Sequence, residues 1–236
     1  MERWPGDRSS LDGRAAARIA EALGAVTRDR DAVLALVGGR SVGGIFAELA
    51  NLPVEWARVH VFLADERLVP IDSDESNYKG IRADLVQPLV AAGKLPERNA
   101  HPLLVDDSRP DRGIAAYQAA FRAIGGRIDV AVLSAGEDGH TASLFPGHPS
   151  VRDASDGFIL VGNAPKPPPD RMSASRKLLA GTSLGVIVFY GEGKRDALRR
   201  FDDPALGVVD CPSKVVGEMR AALVLTDLEP SPAKPA

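Results

Sequence analysis

Apolar residues along the chain fall into two alternating patterns. Near-continuous apolar runs of four to seven residues occur at 32–37, 59–64, 128–133, 158–161, 184–190 and 221–225. Runs of this kind, without polar alternation, mark strands buried on both faces. Between them the spacing turns helical. Ala15, Ile19, Ala22, Leu23 and Val26 share one face of a helix that Ser10 would cap. Ile45, Leu49 and Leu52 share another over 45–52. Further helices are expected over 78–90 with an interruption at Pro88, over 111–124, as a short start at 141–145, over 172–179, and from 191–194 to about Phe201. Strands alternating with helices predict an α/β fold, a mostly parallel sheet covered by helices on both faces.

In such sheets ligands sit beyond the carboxyl ends of the parallel strands. The loops leaving these runs therefore carry the chemical interest. The first run ends in Gly38-Gly39-Arg40-Ser41-Val42-Gly43-Gly44 and the second in Asp65-Glu66-Arg67. The run at 128–133 enters a glycine-punctuated turn holding Asp138 and His140. A carboxylate and an imidazole two residues apart in that place suggest acid–base chemistry, because imidazole as a group titrates near neutrality.

Composition narrows the field. A chain of 236 residues is long enough for one large α/β domain, expected over 1–228, with a disordered tail at 229–236. Its 29 basic and 32 acidic residues are well mixed, so no basic stripe points to nucleic acid. No apolar run approaches the roughly 20 residues needed to span a bilayer. One cysteine, Cys211, and an amino terminus without an apolar h-region predict a reducing, cytoplasmic setting. The acidic run at 72–75 lacks the glycine and distal glutamate of an EF-hand loop, and no histidine stands at zinc-ligand spacing with cysteine. No metal and no cofactor are expected.

The glycine loop is either a phosphate cradle, with backbone N–H groups of Gly38 and Gly39 and the side chains of Arg40 and Ser41, or a tight turn needed for packing. It is neither a Walker A loop nor a dinucleotide fingerprint. Lys194, in a second strand-to-helix turn, either reaches the same anion or is simply solvated. Three charges at 65–67 are hard to explain by packing, unless the loop there has already reached water.

Four stretches together resemble the 6-phosphogluconolactonase family: GGRS at 38–41, FLADER at 62–67 with SNY at 76–78, GEDGHTASLFPG at 136–147, and APKPPPDR at 164–171. The resemblance implies a Rossmann-like α/β fold shared with glucosamine-6-phosphate deaminase. It also implies a metal-free lactonase of the oxidative pentose phosphate pathway, acting on a small phosphorylated sugar lactone, as a monomer or small homo-oligomer. His140 would be the general base on water, with Asp138 orienting it or instead bonding backbone. Oxyanion stabilisation would come from backbone N–H groups between Gly136 and Gly139 or from Arg67. Arg40, Ser41, Lys166, Arg171 and Lys194 would hold substrate and its phosphate, and Asp65 and Asn77 would shape the sugar end.

The chain departs from the family pattern at Ser134, at Ser41-Val42, at Gly43-Gly44, where a more mobile loop is expected, and across 206–216. Two rivals remain. A non-catalytic sugar-phosphate sensor would keep the loop without needing the base. The deaminase is disfavoured because Phe145 stands where an acidic residue would support ring opening, and because Arg67 replaces a tyrosine.

Overall fold

The computed structural model describes residues 1–229. Seven strands form one sheet: β1 (Glu2–Pro5), β2 (Ala32–Leu36), β3 (Val59–Leu63), β5 (Ala100–His101), β6 (Val130–Ser134), β9 (Leu184–Phe189) and β10 (Ala222–Thr226). Their order is β1-β10-β9-β6-β2-β3-β5, and every neighbouring pair is parallel. Each of β2, β3, β9 and β10 is buried along its whole length, as the unbroken apolar runs predict. Helices α1 (Arg8–Thr27), α2 (Gly43–Asn51), α5 (Ile114–Ala123) and α7 (Arg195–Asp202) are among those that cover the two faces.

From β2 the chain builds outward through β3 and β5, then returns to place β6 on the other side of β2. The loops leaving β2 and β6 therefore diverge, and a crevice opens between them at the carboxyl ends of the strands. A second, three-stranded antiparallel sheet, β4 (Asp65–Arg67), β8 (Arg171–Ala174) and β7 (Phe158–Val161), walls that crevice. The buried apolar residues form one cluster running from Leu11 to Leu228. No helix among the described residues is long and apolar enough to cross a membrane.

Several local expectations are corrected. The cap of α1 is Asp7, whose carboxylate accepts from the N–H groups of Ser9 and Ser10, so Ser10 lies inside the helix. Residues 141–145 form a tight turn closed by a bridge between Thr141 and Leu144, not a helix. The helix expected at 172–179 is two elements: β8, paired on both sides, and then α6 (Arg176–Ala180), capped by the Ser175 hydroxyl. Pro88 does not end its helix. A π-helical turn (Arg82–Val86) joins α3 (Asn77–Ile81) to α4 (Gln87–Ala91), and the proline sits in the first turn of α4, where its missing N–H costs least. Apart from Glu229, the tail expected to be disordered lies outside the described residues.

Candidate active site

At the crevice lies a cleft of about 630 Å³, whose walls carry Gly38 to Ser41, Asp65, Arg67, Asn77, Gly136, His140, Lys166, Arg171 and Lys194. Residues far apart in sequence are brought together here because three strands and two sheets end at one place. Asp138 lies directly behind His140.

The turn after β6 is built around the imidazole. His140 Nδ1 is 2.5 Å from Asp138 Oδ1, and the same oxygen accepts the His140 backbone N–H at 3.2 Å. Asp138 thus both orients the ring and bonds backbone. Burial opposes its ionisation, but the hydrogen bonds from His140, the imidazole's charge and the Lys166 ammonium 3.8 Å away outweigh this. They hold the Asp138 carboxyl well below the usual carboxylate range. The ring packs on Phe145 at a centroid distance of 4.7 Å. It also lies where a side chain on Gly136 would be, since a Cβ there would collide with it. Among the described residues Nε2 has no hydrogen-bond partner.

Of the backbone donors expected between Gly136 and Gly139, those of the two glycines are already taken. Gly136 N–H donates to the His140 carbonyl at 2.7 Å, and Gly139 N–H to the Gly136 carbonyl at 3.0 Å. Neither is free for an oxyanion. The N–H groups of Glu137 and Asp138 meet no acceptor among the described residues, so they are the turn's free donors. Gly139 has φ of +86°, and a Cβ there would lie 2.9 Å from Cys211 Sγ, so glycine is required twice over. Its carbonyl accepts from Ser213 N–H at 2.9 Å, and Gly147 N–H donates to the Val209 carbonyl at 2.9 Å. The atypical stretch 206–216 is therefore the shelf on which the His140 turn rests. Burial pushes the Cys211 thiol up, as befits a packing residue.

The three charges at 65–67 each have a distinct structural place. Glu66 is 3% exposed and accepts the N–H groups of Arg67, Asn77 and Tyr78 and the Ser76 hydroxyl, at 2.7–2.9 Å. Burial pushes its carboxyl up, and those donors only partly offset this. It ties β4 to the start of α3 and so fixes Asn77. The Asn77 amide lies over Gly38, where a Cβ would collide with it, and donates to the Asp65 carbonyl at 2.9 Å. Asp65 Oδ2 accepts from the Ser143 hydroxyl at 2.8 Å. Arg67 gives one N–H to the Glu75 carbonyl, while its Nε is buried without a partner among the described residues. Arg171, paired with Arg67 across the strands, spends Nε and Nη2 on the carbonyls of Lys166, Pro167 and Pro168. Burial lowers its pKa. It clamps the proline segment as well as facing the cleft.

On the other flank stand the glycine loop, with Gly39 at φ of +112°, and Lys194, whose pKa burial lowers. Gly43 and Gly44 leave room for two carboxylates: a Cβ at Gly43 would lie 2.8 Å from Asp84 Oδ2, and one at Gly44 would collide with Asp12. Among the cleft residues that the sequence reading did not single out are Tyr190 and Arg8. Tyr190, at the carboxyl end of β9, falls under the strand-end rule that singled out the other loops; Arg8 carries no such local signal. Among the described residues no three His, Cys, Asp or Glu side chains are placed to share a metal ion.

Fold and site together define an α/β protein in which a histidine–aspartate pair borders a cleft lined by arginines and lysines at the carboxyl ends of the strands. The chain belongs to the family described as glucosamine-6-phosphate isomerases/6-phosphogluconolactonase, which matches residues 6–225. It is 29% identical over 204 residues to the 6-phosphogluconolactonase of Borreliella burgdorferi, covering 86% of this chain and 87% of that protein. It is 32% identical over 205 residues to the 6-phosphogluconolactonase of Mycobacterium leprae, covering 81% of each. Its fold is similar to that of a 6-phosphogluconolactonase from Shewanella baltica, with TM-score 0.83 and 24% identity, covering 96% of this chain and 97% of that one. It is also similar to a putative 6-phosphogluconolactonase from Neisseria gonorrhoeae, with TM-score 0.78 and 25% identity, covering 96% and 99%.

Proposed function

We propose that this protein hydrolyses 6-phospho-D-glucono-1,5-lactone to 6-phosphogluconate, without a metal, with His140 as general base. The observation that carries the reading is the His140–Asp138 pair, its Nε2 unpartnered, at the mouth of a cleft lined by Arg40, Arg67, Lys166, Arg171 and Lys194. Neutral His140 donates its Nδ1–H to Asp138, leaving the Nε2 lone pair to take a proton from water. The water oxygen bonds to the lactone carbonyl carbon. The carbonyl oxygen becomes an oxyanion, met by Arg67 Nε and the N–H groups of Glu137 and Asp138. Collapse breaks the bond to the ring oxygen, which takes the proton back from His140. The net change adds one water and opens the ring.

Arg40, Ser41, Lys194 and the glycine loop hold the phosphate. Binding of that remote anion positions the carbonyl over the water. Asp65 and Asn77 bound the sugar end. The packing of Phe145 on the imidazole favours lactonase over deaminase, because an apolar ring occupies the place where ring opening would need an acid.

The test is hydrolysis of freshly made lactone, followed by acid release against a no-enzyme blank, for wild type and His140→Ala. Wild type should exceed the blank by orders of magnitude, and the variant should lose about 10²–10⁴ in rate. A wild type equal to the blank sinks the function. An undiminished variant sinks the base.

A further inference from the structure

Arg8 opens α1, far in sequence from every motif above, yet its side chain lines the same cleft as Arg40, Ser41 and Lys194. Its Nη2 donates to the Arg40 carbonyl in the glycine loop. Its Nε lies 3.7 Å from Asp12 Oδ2, one helical turn on, and its guanidinium carbon is 5.3 Å from the centre of the Tyr190 ring. Among the described residues the Arg40 carbonyl is its one hydrogen-bond acceptor, so most of its N–H fork is left for a ligand.

The partners behind it are costly to place there. Asp12 is 5% exposed, and burial pushes its carboxyl up. Tyr190 is also 5% exposed, and burial, then the charge of Asp12, push its phenol up. Asp12 occupies the space that any side chain at position 44 would fill. Buried charges are found paired, and Arg8 is the cation that Asp12 meets. Gly44 is thus matched to Asp12 beneath the loop, and the Arg8 guanidinium that meets Asp12 lines the cleft.

We infer that Arg8 binds the substrate's phosphate with its guanidinium fork, and that Asp12 and Tyr190 are positioning residues that fix it beneath the glycine loop. A planar fork meeting a phosphate monoester gives paired, charge-assisted hydrogen bonds that lysine cannot reproduce. This inference rests on the proposed phosphorylated substrate, and its test has a readout that needs no turnover.

Inorganic phosphate is titrated calorimetrically into wild type, Arg8→Gln, Arg8→Lys and Gly44→Ala. Steady-state rates are measured on the phosphorylated lactone and on unphosphorylated gluconolactone. Arg8→Gln should weaken phosphate binding by about 10-fold or more. It should lower the kcat/KM preference for the phosphorylated lactone by a similar factor. Arg8→Lys should recover only part of both, and Gly44→Ala, which displaces Asp12, should weaken phosphate binding by a smaller factor. If Arg8→Gln binds phosphate like wild type, or lowers rates on both lactones in parallel with the preference unchanged, Arg8 is structural and the inference falls. If phosphate binding depends on Arg8 while wild type hydrolyses neither lactone, the proposed reaction falls and the anion site stands.

Discussion

Two histidine clusters in this molecule use one side chain for opposite ends. At the carboxyl end of β6, His140 has a carboxylate on Nδ1, an Nε2 without a partner among the described residues, and a cleft in front of it. At the sheet's edge, His60 in β3 and His101 in β5 face each other, Nδ1 to Nε2, at 2.9 Å. His101 stacks on Phe62 with centroids 4.1 Å apart, and Asp31 approaches His60 only to 3.6 Å. Burial, then the neighbouring imidazole, push the His101 pKa down to about 4; burial lowers that of His60 as well. The lesson is one of register. An imidazole within a strand turns a nitrogen to its packing neighbour, whereas the one in the loop beyond the strand presents a nitrogen to the cleft.

The largest effect that separates the clusters is catalytic. His140→Ala should cost about 10²–10⁴ in kcat/KM, while His101→Gln should stay within about twofold of wild type, since a group remote from the cleft supplies no transition-state stabilisation. Comparable losses from both would erase the distinction. Next, Asp138→Asn should cost roughly 10² or more, because an amide cannot hold the imidazole in the tautomer that leaves Nε2 basic; steady-state rates check it, and an unchanged kcat/KM would make Asp138 a backbone anchor only.

The third contrast is in acid stability. The folded protein disfavours a proton on His101, so the unfolded chain binds more protons between its ordinary pKa near 6.5 and the folded value of about 4. Stability should therefore fall as pH drops through that window, by on the order of 1–2 kcal/mol after allowance for partial exposure. Unfolding midpoints at pH 7 and 4.5 measure it. His101→Gln should flatten the slope, and an equally steep slope in the variant would assign the acid sensitivity elsewhere. Smallest of all, His60→Gln should change stability at pH 7 by less than about 1 kcal/mol in denaturant titration, since an amide can replace one imidazole hydrogen bond.

Much of this was legible in the sequence, for identifiable reasons. Strands buried on both faces write themselves as unbroken apolar runs, and the rule that ligands gather past their carboxyl ends leads directly to residues 38–41, 65–67 and 136–140. What escaped depended on distant partners. Residues 171–174 carry no strand pattern of their own and become a strand only because β4 and β7 flank them. The three-residue β4 looks like a loop for the same reason. Which N–H groups of the Gly136–Gly139 turn are free is not written in the sequence; internal hydrogen bonds consume those of both glycines and leave Glu137 and Asp138. Gly43 and Gly44 read as slack, although carboxylates from α1 and the π turn fill the space they leave. Arg8 could not be found at all, because its place is set by α1 crossing beneath a loop more than 30 residues away.

The shelf under the His140 turn sets an order of events in synthesis. Gly139 receives its supporting hydrogen bond from Ser213, and Gly147 donates to Val209. A nascent chain that has emerged only as far as residue 200 already carries His140, Asp138, the glycine loop and Lys194, but not the shelf at 206–216 that braces the turn. Every residue of the proposed chemistry would thus exist on the ribosome well before the active geometry does, and a polypeptide cut off before the shelf would keep the recognisable motifs while lacking the support that arranges them.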